Sequence, residues 1–339
     1  MSVSHAAATV RVFRGEHVDA IHTASVAVVD EAGRLVAAWG EPAANVVLRS
    51  TAKPFQALPL VSSGALEALG IDAAELAVAC ASHSGSDRHV AVVTRLLARS
   101  GASVDALKCG THLPIEFRLH GAYPLHGEDR DPLRHNCSGK HAGFLALSRQ
   151  LAQPPATYLE PQGVVQTAVR RAIERAAELP PDSLVPAIDG CSAPTYALPL
   201  THVALAFRNL ALATAPDRGT ASALARVREA MQKEPFLISG DGRFDHELAR
   251  SFPGNIVNKG GAEAIQGIGL RDPPLGIAIK VHDGGERALA PLCVAVLQTL
   301  GVIDTLSRFP LLEPHARPTL RNHAGLTTGE LRVELAARA

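Results

Sequence analysis

The 339-residue sequence has few aromatic residues, no excess of either charge and no long apolar run. Phe, Trp and Tyr make up 4% of the residues, which argues against a nucleic-acid binder that stacks bases. Basic and acidic side chains number 33 each, so the chain has no overall field to hold a polyanion or an acidic membrane. No stretch approaches the ~18 apolar residues of a membrane span. We therefore expect a small-molecule partner, with no nucleic acid and no membrane.

Cysteine is also scarce. Five cysteines, an odd number spread thinly over the chain, do not indicate a disulfide framework. The opening MSVSHAAATVRVFRG lacks a basic segment followed by an apolar run, so it does not resemble a signal peptide. A cytoplasmic location is expected, in which the thiols stay free for a metal or for chemistry.

What the sequence does contain is typical of a globular core. Apolar residues make up 47% and charged residues 19%. The length predicts a single unit over residues 1–339, or two closely packed subdomains within it. Apolar runs predict strands in five places: a hairpin of Val26–Asp30 with Leu35–Trp39, and buried strands at Leu76–Ala81, Ser183–Asp189 and Leu275–Val281.

Helical periodicity appears between these runs. Ser86 and Asp87 are good caps for a helix that carries Val90, Val93 and Leu96 on one face. The same period predicts further helices at Val164–Ala177, Thr201–Leu210, Ala221–Met231 and Ala290–Leu300. Strands and helices alternate irregularly, so we expect an α/β or α+β fold rather than a strictly alternating doubly wound sheet.

The stretch RSTAKPFQALP places Ser50 three residues before Lys53. An ordinary N-cap serine with a solvated lysine is the simpler interpretation, because this spacing is common. Pro54 favours a helix start here, with Ser50 and Lys53 on one face. A lysine can serve as a base if burial or a second cation lowers its pKa. Lys259, in NKGGAE, is a candidate for that second cation.

Other polar clusters follow apolar runs, where loops often carry function. Ser82 follows LAVACA, and Asp189 enters a glycine turn where it could bind an ammonium group. In RHNCSGKHAG no glycine precedes Gly139 at P-loop spacing, and His141 replaces the Ser or Thr that would bind magnesium, so nucleotide binding is rejected. Thiols of this segment and of DGCSAP could form a zinc site, although no standard ligand spacing is present.

The set and order of the clusters is more specific than any one of them. LRSTAKPFQALPL, CASHSG, CGTHLP, RHNCSGKHAG, DGCSAP and NKGGAE follow one another, and together they resemble the Rhizobium-type L-asparaginases, also called asparaginase II. The resemblance runs from about Val12 to Leu300. It implies a fold like that of the serine β-lactamases and glutaminases, with a mixed sheet flanked by helices, and a homodimer.

The resemblance also implies roles for particular residues. The expected site consists of two Ser-Lys pairs, a zinc site and a substrate-binding set: Ser50 with Lys53, Ser82 with Lys259, the zinc ligands Cys137, Lys140 and Cys191, and the substrate-binding residues Asp189, Arg49 and His83. Ser50 is expected as the nucleophile that opens the amide of L-asparagine, and Lys53 as its base. Zinc is expected to orient the substrate without being essential for turnover.

Two positions depart from the family pattern. Ala264 stands where K-x-G-A-E-G would end in glycine, and Ser192 replaces the second glycine of D-G-C-G. Neither change removes a proposed catalytic group or ligand, but both affect the expectation for substrate preference.

Three alternatives stay open. A related amidohydrolase could act on glutamine or a β-lactam with the same Ser-Lys chemistry. A metal-dependent hydrolase could use Cys137, Lys140 and Cys191 to hold a catalytic ion. A non-catalytic zinc-binding or amino-acid-binding module would bind a ligand without turnover.

Overall fold

The computed structural model describes residues 6–119 and 131–336. The strands are β1 (Ala8–Arg14), β2 (His17–Val29), β3 (Leu35–Trp39), β4 (Asn45–Val47), β5 (Pro186–Ile188), β6 (Pro194–Pro199), β7 (Ile256–Gly261), β8 (Ile265–Arg271), β9 (Pro274–Val281), β10 (Thr319–Arg321) and β11 (Thr327–Glu334).

Short helices precede and separate the long ones. They are α1 (Lys53–Gln56), α2 (Leu58–Ser62), α3 (Ala65–Leu69), α4 (Ala73–Ala79), α5 (Asp87–Ser100), α6 (Ile115–Leu119), α7 (Ser138–Gln150), α8 (Val164–Ala176), α9 (Leu200–Leu212), α10 (Arg218–Lys233), α11 (Pro235–Ile238), α12 (Phe244–Ser251), α13 (Glu286–Thr299) and α14 (Glu313–Ala316). Within the described residues, no helix combines the length and the apolar character needed to cross a membrane.

Contacts between Cα atoms divide the chain into two compact units. Unit 1 contains the described residues up to Thr51, Leu198–Arg208 and those from Glu247 onward, and unit 2 contains Ala52–Ala197 and Asn209–His246. The prediction of one catalytic unit over 1–339, or of two closely packed subdomains, stays a prediction.

Unit 1 is built on an eight-stranded sheet. The strand order is β10-β11-β1-β2-β9-β8-β7, with β3 also paired to β2, and these pairings are antiparallel. The second half of β2 is buried because β9 and β3 flank it and α13 packs on the sheet. The predicted hairpin is confirmed: Asp30 Oδ1 accepts from the backbone N–H groups of Ala32 and Arg34 at 3.0 and 2.9 Å, and Gly33 takes φ +78° in the turn.

Unit 2 is mainly helical. Helix α7 lies at its centre, with residues 138–148 all buried, and it contacts α4 and α5. In this unit β5 pairs antiparallel with the first residues of β6, from Pro194 to Tyr196. A helix that is buried on all faces, such as α7, has no single apolar face, so its sequence lacks the 3.6-residue period by which helices are recognised.

The strand predicted at Leu76–Ala81 is wrong, because this segment lies mostly in the buried helix α4. The Asp72 side chain accepts from the Glu75 N–H, and the Glu75 side chain accepts from the Asp72 N–H, both at 2.8 Å. This capping box starts a helix and takes precedence over the β-like composition that follows it.

The remaining elements agree with prediction to within a few residues. The strand predicted at Leu275–Val281 is β9, whereas of Ser183–Asp189 only Pro186–Ile188 forms a strand. The predicted helices correspond to α5, α8, α9, α10 and α13. A combined helix and sheet fold is therefore confirmed, and its antiparallel pairings correspond to the α+β variant of that prediction.

Candidate active site

The amine of Lys53 lies within hydrogen-bonding distance of the hydroxyl of Ser82. Lys53 Nζ donates to Ala81 O at 2.6 Å, to Ser82 Oγ at 2.9 Å and to Asn136 O at 3.4 Å. The lysine is 0% exposed and Ser82 is 5% exposed. Lys53 is the first residue of α1, whose second position is Pro54, and Ser82 follows the end of α4. Sequence reasoning assigned Lys53 to Ser50, and that pairing stays a prediction.

Burial lowers the pKa of Lys53 below its ordinary value, and the nearby Lys140 adds to the effect while Cys137 opposes it. A neutral amine has two N–H groups and one lone pair. Because two backbone carbonyls can accept the two N–H groups, the lone pair is free to face Ser82 Oγ. In that state the amine can take the hydroxyl proton, which is the first requirement for a serine nucleophile.

His83 lies next to Ser82 in a fully buried position. Its Nε2 lies 2.9 Å from Ser138 Oγ, and that hydroxyl donates to Leu133 O at 2.7 Å. Since the hydroxyl proton is used, His83 Nε2 must carry the hydrogen that it shares with Ser138. The ring stacks on His89 with centroids 5.0 Å apart. Burial lowers the pKa of His83 well below its ordinary value, with His89 and Lys53 contributing, so the ring is neutral.

Two thiols and an amine form a second buried cluster, the Cys–Lys cluster of Cys137, Lys140 and Cys191. Lys140 Nζ lies 2.8 Å from Cys191 Sγ, and all three residues are at most 4% exposed. A hydrogen bond from Cys191 lowers the pKa of Cys137 well below its ordinary value, and Lys53 and Lys140 act in the same direction. Burial opposes charge on Lys140, but Cys191 and Cys137 outweigh it and raise the pKa of Lys140.

The Cys–Lys cluster fits a zinc ion by its chemistry. Cys137 lies just before α7 and Lys140 in its first turn, three residues apart, so they share a face, and Cys191 comes from the turn after β5. Thiolate sulfur and an amine nitrogen are ligands that zinc accepts. His141 is buried beside the cluster: its side chain interacts with Cys191, and its Nδ1 lies 2.8 Å from Tyr158 Oη.

Asp189 begins the turn that carries Cys191. Its N–H donates to Ala193 O and the Ser192 N–H donates to Asp189 O, each at 2.9 Å. Cys191 Sγ lies 3.4 Å from Asp189 Oδ2, so the carboxylate lies next to the Cys–Lys cluster. Ser192 closes the turn with φ +68°, a conformation that glycine adopts without strain.

Unit 1 carries the other predicted residues. Ser50 lies in a 3₁₀ turn over Arg49–Ala52, and Lys259 lies on β7 with 1% exposure. A Cβ on Gly261 would approach the Ser50 backbone nitrogen to 3.1 Å, so this glycine lets the end of β7 lie against the serine. Arg49 has φ +48°, and its Nη1 lies 3.7 Å from Glu263 Oε1.

Sequence reasoning missed two residues of the Ser82 environment. Arg243 Nη1 donates to Ser82 O and, at 3.3 Å, to Ser239 O. The backbone carbonyl of Asn136 accepts from Lys53, and Asn136 Oδ1 lies 3.3 Å from Cys137 Sγ. Asn136 lies in RHNCSGKHAG, where only Cys137 and Lys140 were predicted as site residues. For Arg243, the signal in the sequence was the pair of glycines before it, Gly240 and Gly242, which indicates a turn. Both glycines have positive φ in the structure.

A further group could hold a metal ion. Asp241, His246 and Glu247 offer ligand atoms within 4.8 Å of one another. Asp241 Oδ1 lies 3.4 Å from His246 Nδ1. These near neighbours in sequence are separate from the Cys–Lys cluster on which the zinc prediction rests.

A buried amine on a serine hydroxyl, in a fold of helices and antiparallel sheet, is the arrangement of a candidate serine-dependent hydrolase. The family model described as L-asparaginase II matches residues 10–333, and the chain belongs to this family. The match supports an asparaginase or amidohydrolase function. No curated protein matches the chain.

Proposed function

We propose that the protein hydrolyses L-asparagine to L-aspartate and ammonia through a serine activated by a lysine. The observation that supports this best is the 2.9 Å contact between Lys53 Nζ and Ser82 Oγ. Both groups are buried, so the amine can stay uncharged near neutral pH without competition from water. Family membership supplies the substrate class, since the family implies asparagine.

The reaction has two steps. Ser82 Oγ attacks the side-chain amide carbon while its proton moves to Lys53 Nζ, and that proton then passes to the leaving nitrogen as ammonia departs. Water attacks the resulting ester, transfers a proton to the lysine and releases aspartate and the serine hydroxyl. Asp189, half-buried in its turn, is proposed to bind the substrate ammonium group, with Arg49 and His83 as further substrate-binding residues.

The family resemblance favours another assignment, in which Ser50 is the nucleophile, Lys53 its base, and Ser82 with Lys259 complete the proton network. Ammonia release by wild type, Ser50→Ala and Ser82→Ala separates the two. We expect Ser82→Ala to lose turnover and Ser50→Ala to keep a measurable rate, both with folding intact, and the exposed Ser62→Ala to be normal. Because Ser82 contributes in both assignments, loss of turnover in Ser50→Ala would favour Ser50 as the nucleophile. Near-normal turnover of Ser82→Ala would remove it as the nucleophile. Glutamine and a chromogenic β-lactam, assayed in parallel, test the substrate.

Zinc is proposed to bind the Cys–Lys cluster. When bound it would supply a fixed positive centre that orients the substrate. Metal content of protein purified without chelator should fall in Cys137→Ala and stay at the wild-type level in Cys293→Ala, whose cysteine is equally buried in α13. Equal zinc in both variants would contradict the assignment. The homodimer and the cytoplasmic location stay predictions.

A further inference from the structure

Ser82 begins a short loop, residues 82–85, that is held in place by side chains from elsewhere in unit 2. One attachment consists of two hydrogen bonds between the same two residues. Ser84 Oγ donates to Glu116 Oε2 at 2.7 Å, and the Glu116 backbone N–H donates to Ser84 O at 2.8 Å. We propose that Glu116 is a positioning residue, which holds the Ser82 hydroxyl on the Lys53 amine through this double contact with Ser84.

The loop has little room to move at Ser84. This side chain is 0% exposed and packs against Gly240, where an added Cβ would come within 2.4 Å of Ser84 Oγ. At the next residue, Arg134 Nη1 donates to Gly85 O at 2.7 Å, and Gly85 has φ +82°. Because the loop is packed here, a lost contact at Ser84 is transmitted along the backbone instead of being absorbed by a side-chain rotation.

Ser82 lies two residues from this attachment. Lys53 is held by Ala81 O at 2.6 Å, on the residue before Ser82, and the Ser82 N–H donates to Ile238 O at 2.9 Å, so a change at Ser84 acts on the Ser82 hydroxyl from the other side of the residue while these contacts hold the amine. A displacement of about 1 Å in a reacting group can lower the rate about 100-fold. Glu116 reaches Ser82 only through Ser84, so its role is to place the nucleophile and not to react.

This inference rests on the proposed function, and its test compares two substitutions at one site. Glu116→Ala removes the acceptor of the Ser84 hydroxyl, whereas Glu116→Gln keeps an amide oxygen that can accept the same bond. We expect kcat for asparagine to fall about 10- to 100-fold in Glu116→Ala, with KM within about twofold of wild type, and Glu116→Gln to recover most of the loss. Glu67→Ala, which removes an exposed carboxylate paired with Arg226 in the same unit, is the matched control and should behave as wild type.

A second readout does not require asparagine turnover. The rate at which a fluorophosphonate labels Ser82, followed by intact mass with Ser82→Ala as the blank, should fall in Glu116→Ala and be restored in Glu116→Gln. Wild-type kcat and labelling rate in Glu116→Ala would overturn the proposal, as would a loss equal to that of Glu67→Ala or a rise in KM with kcat unchanged. If wild type is labelled at Ser82 but releases no ammonia from asparagine, the proposed function fails while the labelling comparison still tests Glu116.

Discussion

Ser192 and Ala264 stand where the family pattern has glycine, and both adopt the left-handed backbone conformation, with φ of +68° and +53°. This conformation costs a residue with a side chain about 1–2 kcal/mol. Glycine removes that strain but loses about 0.5–1 kcal/mol through the greater freedom of the unfolded chain. The balance predicts that Ser192→Gly, whose side chain is exposed, stabilises the protein by about 0.5–1 kcal/mol.

The same reasoning gives a different result at Ala264. Its methyl group is fully buried, and losing one buried methyl costs about 0.8 kcal/mol. That loss offsets the relief of strain, so Ala264→Gly should change the free energy of unfolding by roughly zero. The two substitutions therefore separate backbone strain from side-chain packing.

Urea unfolding of wild type and the two variants, compared at a common slope, provides the measurement. Ser183→Gly is the matched control: this serine is also exposed, in the same unit as Ser192, but its φ is not positive, so glycine there should destabilise by about 0.5–1 kcal/mol. If Ser192→Gly is no more stable than wild type, or if Ala264→Gly gains as much, the strain argument is refuted.

Two further predictions concern stability in each unit. A Cβ on Gly267 would lie 1.9 Å from the Phe207 ring, so Gly267→Ala should destabilise unit 1 by about 1–3 kcal/mol or more in urea unfolding. An unfolding free energy equal to that of wild type would contradict this. Burial lowers the pKa of His89 to about 4 in the folded state. Because the unfolded chain binds the proton already near pH 6.5, the free energy of unfolding should fall between about pH 6.5 and pH 4, by up to ~1.4 kcal/mol per pH unit. His89→Phe should flatten the dependence of unfolding free energy on pH over that window, and an unchanged slope would contradict the assignment.

Much of the fold could be predicted because its signals are local. Turn residues predict the hairpin around Gly33, and a 3.6-residue period of apolar residues predicts the helices that have one apolar face. Helix α4 could not be recognised that way, since it is buried on all faces and only its cap, at Asp72 and Glu75, distinguishes it from a strand. A search for D-x-x-E before apolar runs would have corrected the assignment.

The candidate site was predicted by residue type but not by partner. Lys140 and Cys191 are 51 positions apart and meet at 2.8 Å, a contact that no local pattern encodes. The pairing of Lys53 with Ser50 stays a prediction. The hydrogen bond of Lys53 to Ser82 spans 29 positions, so no local pattern could have predicted it.

The two buried lysines of unit 2, Lys53 and Lys140, have pKa values shifted in opposite directions by the groups around them. Lys53 and Lys140 are both at most 3% exposed, so desolvation disfavours charge on each. Lys53 contacts carbonyl and hydroxyl oxygens and also interacts with the Cys137 thiol, but burial outweighs the effect of Cys137, so the pKa of Lys53 is lowered. Lys140 contacts a thiol sulfur beside a second one, which raises its pKa. In the proposed function, the base is therefore the lysine whose pKa is lowered. In the proposed zinc site, Lys140 must lose a proton before it can bind the metal, so zinc affinity should weaken as pH falls.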